Sequence, residues 1–197
     1  MSEETPARKP TLYILSAPSG GGKSSLARAL VERAQDTVTS VSHTTRPQRT
    51  GETHGVDYFF VDQSEFEQMI KDDGFLEYAR VFDHWYGTSR KAVEQAIVQN
   101  RSIMLDIDWQ GAQQVRRAFP AAVSVYILPP SVEALAQRLV DRGRDSPDEI
   151  TSRLSEAASE MSHYDEYDHI LININFDAAL GELEALVCRG EAPESGR

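Results

Sequence analysis

Apolar positions along the chain fall into short runs that alternate with helical spacings. Residues 12–17 form an apolar run that meets a glycine-rich turn. Residues 24–34 follow, with Leu26, Ala29, Leu30 and Ala34 spaced along one helix face. Residues 103–108 and 123–128 have the character of buried strands, and a helix candidate follows each. Residues 170–174 predict a last strand and residues 178–187 a last helix. This strand-then-helix rhythm predicts an α/β fold, a parallel sheet with helices on both faces.

The rhythm breaks at residues 37–89, which are rich in Thr, Tyr and Phe. Mixed strands and one clear helix are expected there, the helix opened by a capping box of Ser64 with Glu67. This stretch reads as an inserted lobe. Further on, Ser146-Pro147-Asp148-Glu149 forms a second capping box with Pro at the first helical position. It separates a helix over 132–141 from one over 147–160. Residues 1–10 and 191–197 are small, polar and charged, and read as loose tails.

Composition narrows the class. With 40% hydrophobic and 26% charged residues in 197, the chain has the balance of one compact globular unit. No apolar run approaches the roughly 20 residues that span a bilayer, and the first ten residues lack the apolar core of a secretory signal. Cys188 is the only cysteine, which excludes an intramolecular disulfide and a Cys-based metal cluster. His43, His54, His84, His163 and His169 show no zinc spacing. A cytoplasmic location is expected. The net charge of -11 argues against nonspecific binding to nucleic acid or membrane, both polyanions. It permits a phosphate substrate wherever arginines gather in a cleft.

The candidate chemistry begins at Ala17-Pro18-Ser19-Gly20-Gly21-Gly22-Lys23-Ser24-Ser25. Set between a strand and a helix, it meets the context of the P-loop pattern G-x-x-x-x-G-K-[ST], with Ala17 in place of the first Gly. The glycines turn successive N–H groups inward as an anion nest at a helix N-terminus. Lys23 is then expected to reach the β- and γ-phosphates of a triphosphate, and Ser24 to hold Mg²⁺. Asp106 and Asp108, two apart at a strand end, are expected on one face, where parallel sheets bind ligands. Asp106 is assigned a Mg²⁺-bound water.

A second motif runs Ser42-His43-Thr44-Thr45-Arg46-Pro47-Gln48-Arg49-Thr50-Gly51-Glu52, then Gly55-Val56-Asp57-Tyr58. Two arginines three apart among hydroxyls make a phosphate clamp, because guanidinium forks grip phosphate oxygens bidentately. A solvated basic loop is the alternative from these residues alone. The stretch resembles the GMP-binding segment of guanylate kinases. The resemblance continues through Phe75-Leu76-Glu77-Tyr78, Trp85-Tyr86-Gly87-Thr88 and Leu105-Asp106-Ile107-Asp108-Trp109-Gln110-Gly111, and covers residues 12–177.

The resemblance implies transfer of the γ-phosphate of ATP to GMP with Mg²⁺, in purine metabolism. Arg46, Arg49, Tyr58 and Tyr86 would bind the GMP phosphate, with Glu52 in the same segment. Ser42, Glu77, Thr88 and Asp108 would contact guanine. The chemistry agrees, since guanine offers two donors, N1–H and the 2-amino group, beside the O6 acceptor. A carboxylate such as Glu77 accepts both, and a hydroxyl such as Thr88 donates to O6. Adenine would leave such groups unpaired, at about 1–3 kcal/mol each.

Arg138 and Arg142, four apart on one predicted helix, and Arg153 on the next resemble the arginines that guanylate kinases carry in a mobile lid closing over ATP. Arg144, in the turn between them, is a weaker candidate. Ordinary ion pairs with Glu133, Asp141 or Glu149 are the alternative. With Lys23 and Arg46 the three complete the expected catalytic set.

The implied organisation is a P-loop NTPase-type core (11–36, 90–130 and 162–190), a GMP-binding lobe (about 37–89) and a helical lid (about 131–161). Two rivals differ in class. A protein-binding module would have a degraded phosphate loop, whereas Lys23 and Ser24 are present. A kinase for a ribose bisphosphate would not need the guanine set. Ile174 departs from the family's usual acid, so no adenine contact is assigned. Monomer or homo-oligomer, and use of dGMP, stay open.

Overall fold

The computed structural model describes residues 9–81, 83–141 and 146–189 (for Glu149 the backbone alone). Its centre is a parallel sheet of β2 (Thr37–Thr39), β7 (Ser102–Asp106), β1 (Leu12–Ser16), β8 (Val123–Leu128) and β9 (His169–Ile172), in that spatial order. All five residues of β1 are buried. Its side chains alternate between two cores, as a strand covered on both faces requires. Tyr13 and Leu15 pack with Leu26 and Leu30 of α1 (Lys23–Arg33) and Leu180 and Leu183 of α7 (Phe176–Glu184). Leu12 and Ile14 face Val93 of α3 (Arg90–Val98) and Val115 of α4 (Trp109–Ala118). No helix among the described residues is long and apolar enough to cross a membrane.

A second, mixed sheet has the order β4 (Phe59–Phe60), β3 (His43–Thr44), β6 (His84–Ser89), β5 (Phe75–Val81). The stretch expected as an inserted lobe from residue 37 needs a correction, because β2 pairs in parallel with β7 and belongs to the central sheet. Three residues, Thr-Val-Thr, at a sheet edge carry too little pattern to reveal that pairing. Phe66 of α2 (Gln63–Lys71) and Phe75 stack at 4.5 Å in the lobe's own core, and Trp85 stacks on Phe66 at 6.0 Å. Gly87 completes it, for an added Cβ would lie 2.8 Å and 2.9 Å from Phe75 ring carbons. Gly87→Ala is expected to cost about 1–3 kcal/mol by overpacking, read as a lowered Tm.

Two caps differ from expectation. Asp62, not Ser64, caps α2, accepting from the Glu65 N–H at 2.8 Å. Ser64 donates to that same carboxylate at 2.6 Å, and a charged acceptor one position before the helix outcompetes a hydroxyl. The strand expected over 103–108 ends at Asp106. Asp108 caps α4 instead, accepting from the Gly111 N–H at 2.9 Å, so the two acids do not share a strand face. The last strand likewise stops at Ile172, leaving Ile174 exposed. Asn175 caps α7, and a π-helical turn, Ala185–Arg189, continues it.

Helices α5 (Val132–Asp141) and α6 (Pro147–Met161) form a pair beside the sheet's carboxyl edge. Arg142 and Arg144, between them, lie outside the described residues, as do the tail residues 1–8 and 190–197.

Candidate active site

Pairing of Leu15 with Asp106 brings the end of β7 level with the loop that follows Ser16. That loop turns through two left-handed glycines, Gly20 at φ 88° and Gly22 at φ 95°, where a side chain would strain the backbone. Gly22 caps α1 with no side-chain hydrogen bond, so the helix's first N–H groups remain for an anion. Lys23 Nζ lies 2.8 Å from Asp106 Oδ1 and donates to the Ile107 carbonyl at 2.9 Å. Burial alone would lower the Lys23 pKa, but the Asp106 carboxylate outweighs it and holds the ammonium above its ordinary value.

A cavity of about 580 Å³ is lined by the whole loop, Ala17 to Ser25, and by Ser42, Tyr58, Glu77, Tyr86, Asp106, Asp108 and Arg138. A second, of about 860 Å³, is lined by Arg46, Arg49, Glu52 and Arg153. Both include Ser24, Ser25, Tyr58, Val81 and Tyr86, so the phosphate loop and the arginine clamp open on one another. Apart from Thr88, every described residue assigned from sequence lines one of the two. Thr88 lies fully buried opposite Glu77 across the β5–β6 ladder.

In the clamp, Arg46 is only 8% exposed. It donates to Glu52 Oε1 at 2.7 Å and to the Pro47 carbonyl at 2.9 Å, with its guanidinium 5.4 Å from the Tyr58 ring centroid. Glu52 also accepts from the Arg49 N–H at 2.8 Å. It thus fixes the clamp's shape, and despite some desolvation the Arg46 bond lowers its pKa.

Glu77 is 4% exposed. Burial, opposed by neighbouring Thr88 and reinforced by the Asp108 charge, pushes its carboxyl up to about 7. Thr88 Oγ1 is buried beside that carboxyl and makes no hydrogen bond of normal geometry. Gly111 leaves room for the Glu77 carboxylate, which an added Cβ there would force to shift.

Several contributors escaped the sequence reading. The Gln114 side-chain amide bonds both backbone groups of Tyr78, at 2.8 and 3.2 Å, and so ties β5 to α4. Asn173 Nδ2 donates to the Gly21 carbonyl at 3.0 Å, while its own carbonyl accepts from Arg138 Nη2 at 2.7 Å. Arg28 of α1 pairs with Asp57 of the lobe. Glu160 of α6 accepts from the Ser19 N–H at 3.0 Å. Its one legible signal was its place seven residues after Arg153, on the same helix face. Trp109 stacks on His163 at 3.9 Å and so packs protein, not ligand.

A family model for guanylate kinase matches residues 9–189. The chain belongs to the guanylate kinase family. A guanylate kinase of Methylococcus capsulatus is 55% identical over 192 residues, covering 94% of each chain. One from Escherichia coli is 54% identical over 179 residues, covering 90% of this chain and 86% of the relative. The crystal structure of a guanylate kinase from Anaplasma phagocytophilum superposes with a TM-score of 0.78 at 33% identity, covering 93% of this chain and 88% of that one. The protein-binding module and the ribose bisphosphate kinase give way to this membership. As a member of the guanylate kinase family the chain is a phosphotransferase, built on a P-loop core with a mixed second sheet.

Proposed function

We propose that the two joined cavities divide one reaction between them, in which the chain transfers the γ-phosphate of ATP to GMP, giving ADP and GDP. The observation that carries this reading is the common cavity of the phosphate loop and the buried Glu77. The loop N–H groups and Lys23 bind the donor phosphates. Arg46 and Arg49 bind the acceptor phosphate, held in shape by Glu52 and flanked by Tyr58 and Tyr86. Glu77, Thr88, Ser42 and Asp108 read the guanine edge. Arg138, Arg142 and Arg153 close on the transferred group.

No general base is required. The nucleophile is an oxygen of the GMP phosphate, whose second pKa lies near ~6, so it is already ionised at neutral pH. The obstacle is repulsion between two polyanions. Cationic side chains fixed in a cleft relieve it without reorganising, and in-line positioning supplies much of the remaining acceleration. The donor set suits Mg²⁺, one hydroxyl and one carboxylate leaving the other positions to water and phosphate. Ser24 would hold it directly and Asp106 through water, and bound there it would supply positive charge to the β- and γ-phosphate oxygens. Closing of the lobe (residues 43–89) and the α5–α6 lid over both substrates would exclude water, so that ATP is not hydrolysed alone. The setting proposed is the cytoplasm and purine metabolism, including GMP recycling.

The test is ADP release from ATP and Mg²⁺ with GMP, AMP, UMP or CMP as acceptor. Turnover with GMP well above the others is expected, with little without an acceptor. Equal rates with all four would refute the guanine assignment, and equal rates with and without GMP the closure.

A further inference from the structure

Ser19 stands inside the phosphate loop, yet its polar groups are held from outside. Its hydroxyl accepts from Arg153 Nη1 at 3.0 Å and its N–H donates to Glu160 Oε2 at 3.0 Å. Arg153 and Glu160 lie seven residues apart on α6, two turns along one face, so a single helix grips the residue from two sides. The grip is anchored, because the Tyr126 hydroxyl of β8 donates to the Glu160 carbonyl at 2.8 Å. Glu160 itself is half-buried and lines the donor cavity with Lys23.

A carboxylate is out of place there. The loop is an anion nest, and the expected ligand is a polyanion, which an extra negative charge repels. Burial pushes the Glu160 pKa up, so the charged form is held at a cost. Glu160 does to the Ser19 N–H what a phosphate oxygen does to a nest N–H: it accepts from it with a negative oxygen.

We infer that Glu160 is a positioning residue that stands in for phosphate on the loop of the ligand-free enzyme, holding α6 in place until an incoming triphosphate displaces it. Displacement loosens the contact at Ser19 and releases Arg153 from the serine hydroxyl toward the donor. The lid helix and the phosphate loop thereby exchange partners only when the donor arrives. The inference rests on the loop being the triphosphate site.

The experiment measures binding of Mg²⁺ with β,γ-imido-ATP, and separately of GMP, by calorimetry on the full chain. Glu160→Gln keeps an acceptor for Ser19 but removes the like charge. It should bind the analogue about threefold to tenfold more tightly, a modest gain because water screens charges in a half-open cleft, with GMP affinity unchanged. The KM for ATP should fall by the same factor while that for GMP stays. Unchanged or weaker analogue binding, or an equal change for both nucleotides, overturns the inference and leaves Glu160 a scaffold residue. In the unmodified protein, the Ser19 amide proton resonance should shift when the analogue saturates, and a static resonance also overturns it. Failure of the unmodified protein to bind the analogue at all would instead refute the phosphate-loop reading.

Discussion

Lys23→Ala is expected to lower kcat about 10³-fold or more, the scale seen when one preorganised cation is withdrawn from a phosphoryl-transfer site. Two effects combine. The ammonium that would follow charge onto the β- and γ-oxygens is gone. In addition Asp106, now 2.8 Å from Lys23 Nζ, is left as an unpaired carboxylate in a cleft for polyanions. The KM for ATP should therefore rise along with the fall in kcat. GMP binding, assigned in the proposed function to Arg46, Arg49 and Glu77, should hardly change. Steady-state kinetics with ATP varied at saturating GMP, beside direct titration with GMP, separates these effects. A variant retaining a tenth of the activity would remove Lys23 from the transfer step.

Glu77→Ala should reduce kcat/KM for GMP about 10²- to 10⁴-fold, because two donors of guanine lose a charged acceptor worth about 1.5–3 kcal/mol for each bond. Preference over AMP should fall by a similar factor. The same carboxyl predicts a pH dependence. Guanine would donate two hydrogen bonds to it and so favour the ionised form, while burial raises the pKa of the empty site to about 7. With other groups unchanged, kcat/KM for GMP should rise roughly tenfold per unit up to about pH 7 and flatten above it. Stability runs the other way. A raised folded-state pKa means that the folded protein holds the proton more tightly than the unfolded chain. The contribution is full below the ordinary value of 4.5 and is lost by about 7. Glu77→Gln should therefore raise Tm at pH 8 and lose that gain toward pH 4.5, at the expense of GMP affinity. A Tm difference that does not vary with pH would mean that Glu77 is not a buried acid.

Much of this site was legible because it is local. The phosphate loop is nine consecutive residues that run from a strand end into the first turn of a helix, and its geometry follows from glycine's tolerance of positive φ at Gly20 and Gly22. The arginine clamp could be proposed from spacing alone, though only its likeness to guanylate kinases named the acceptor. Reading failed at boundaries. Asp62 displaced Ser64 as a cap, and Asp108 moved from strand to helix cap, since each cap depends on which residue reaches the first free N–H groups.

The sequence by itself determined the parallel α/β core and the phosphate loop, because these depend on periodicity and on neighbours a few residues apart, whereas the guanine set came only from the likeness to guanylate kinases. The tertiary structure alone decided how they are held. Gln114 reaches Tyr78 across 36 positions, Glu160 reaches Ser19 across 141 and Asn173 reaches Gly21 across 152. No periodicity encodes such pairings. The raised pKa of Glu77 belongs with them, for it arises from burial against α4 and from the Asp108 charge, both of which exist only once the chain has folded.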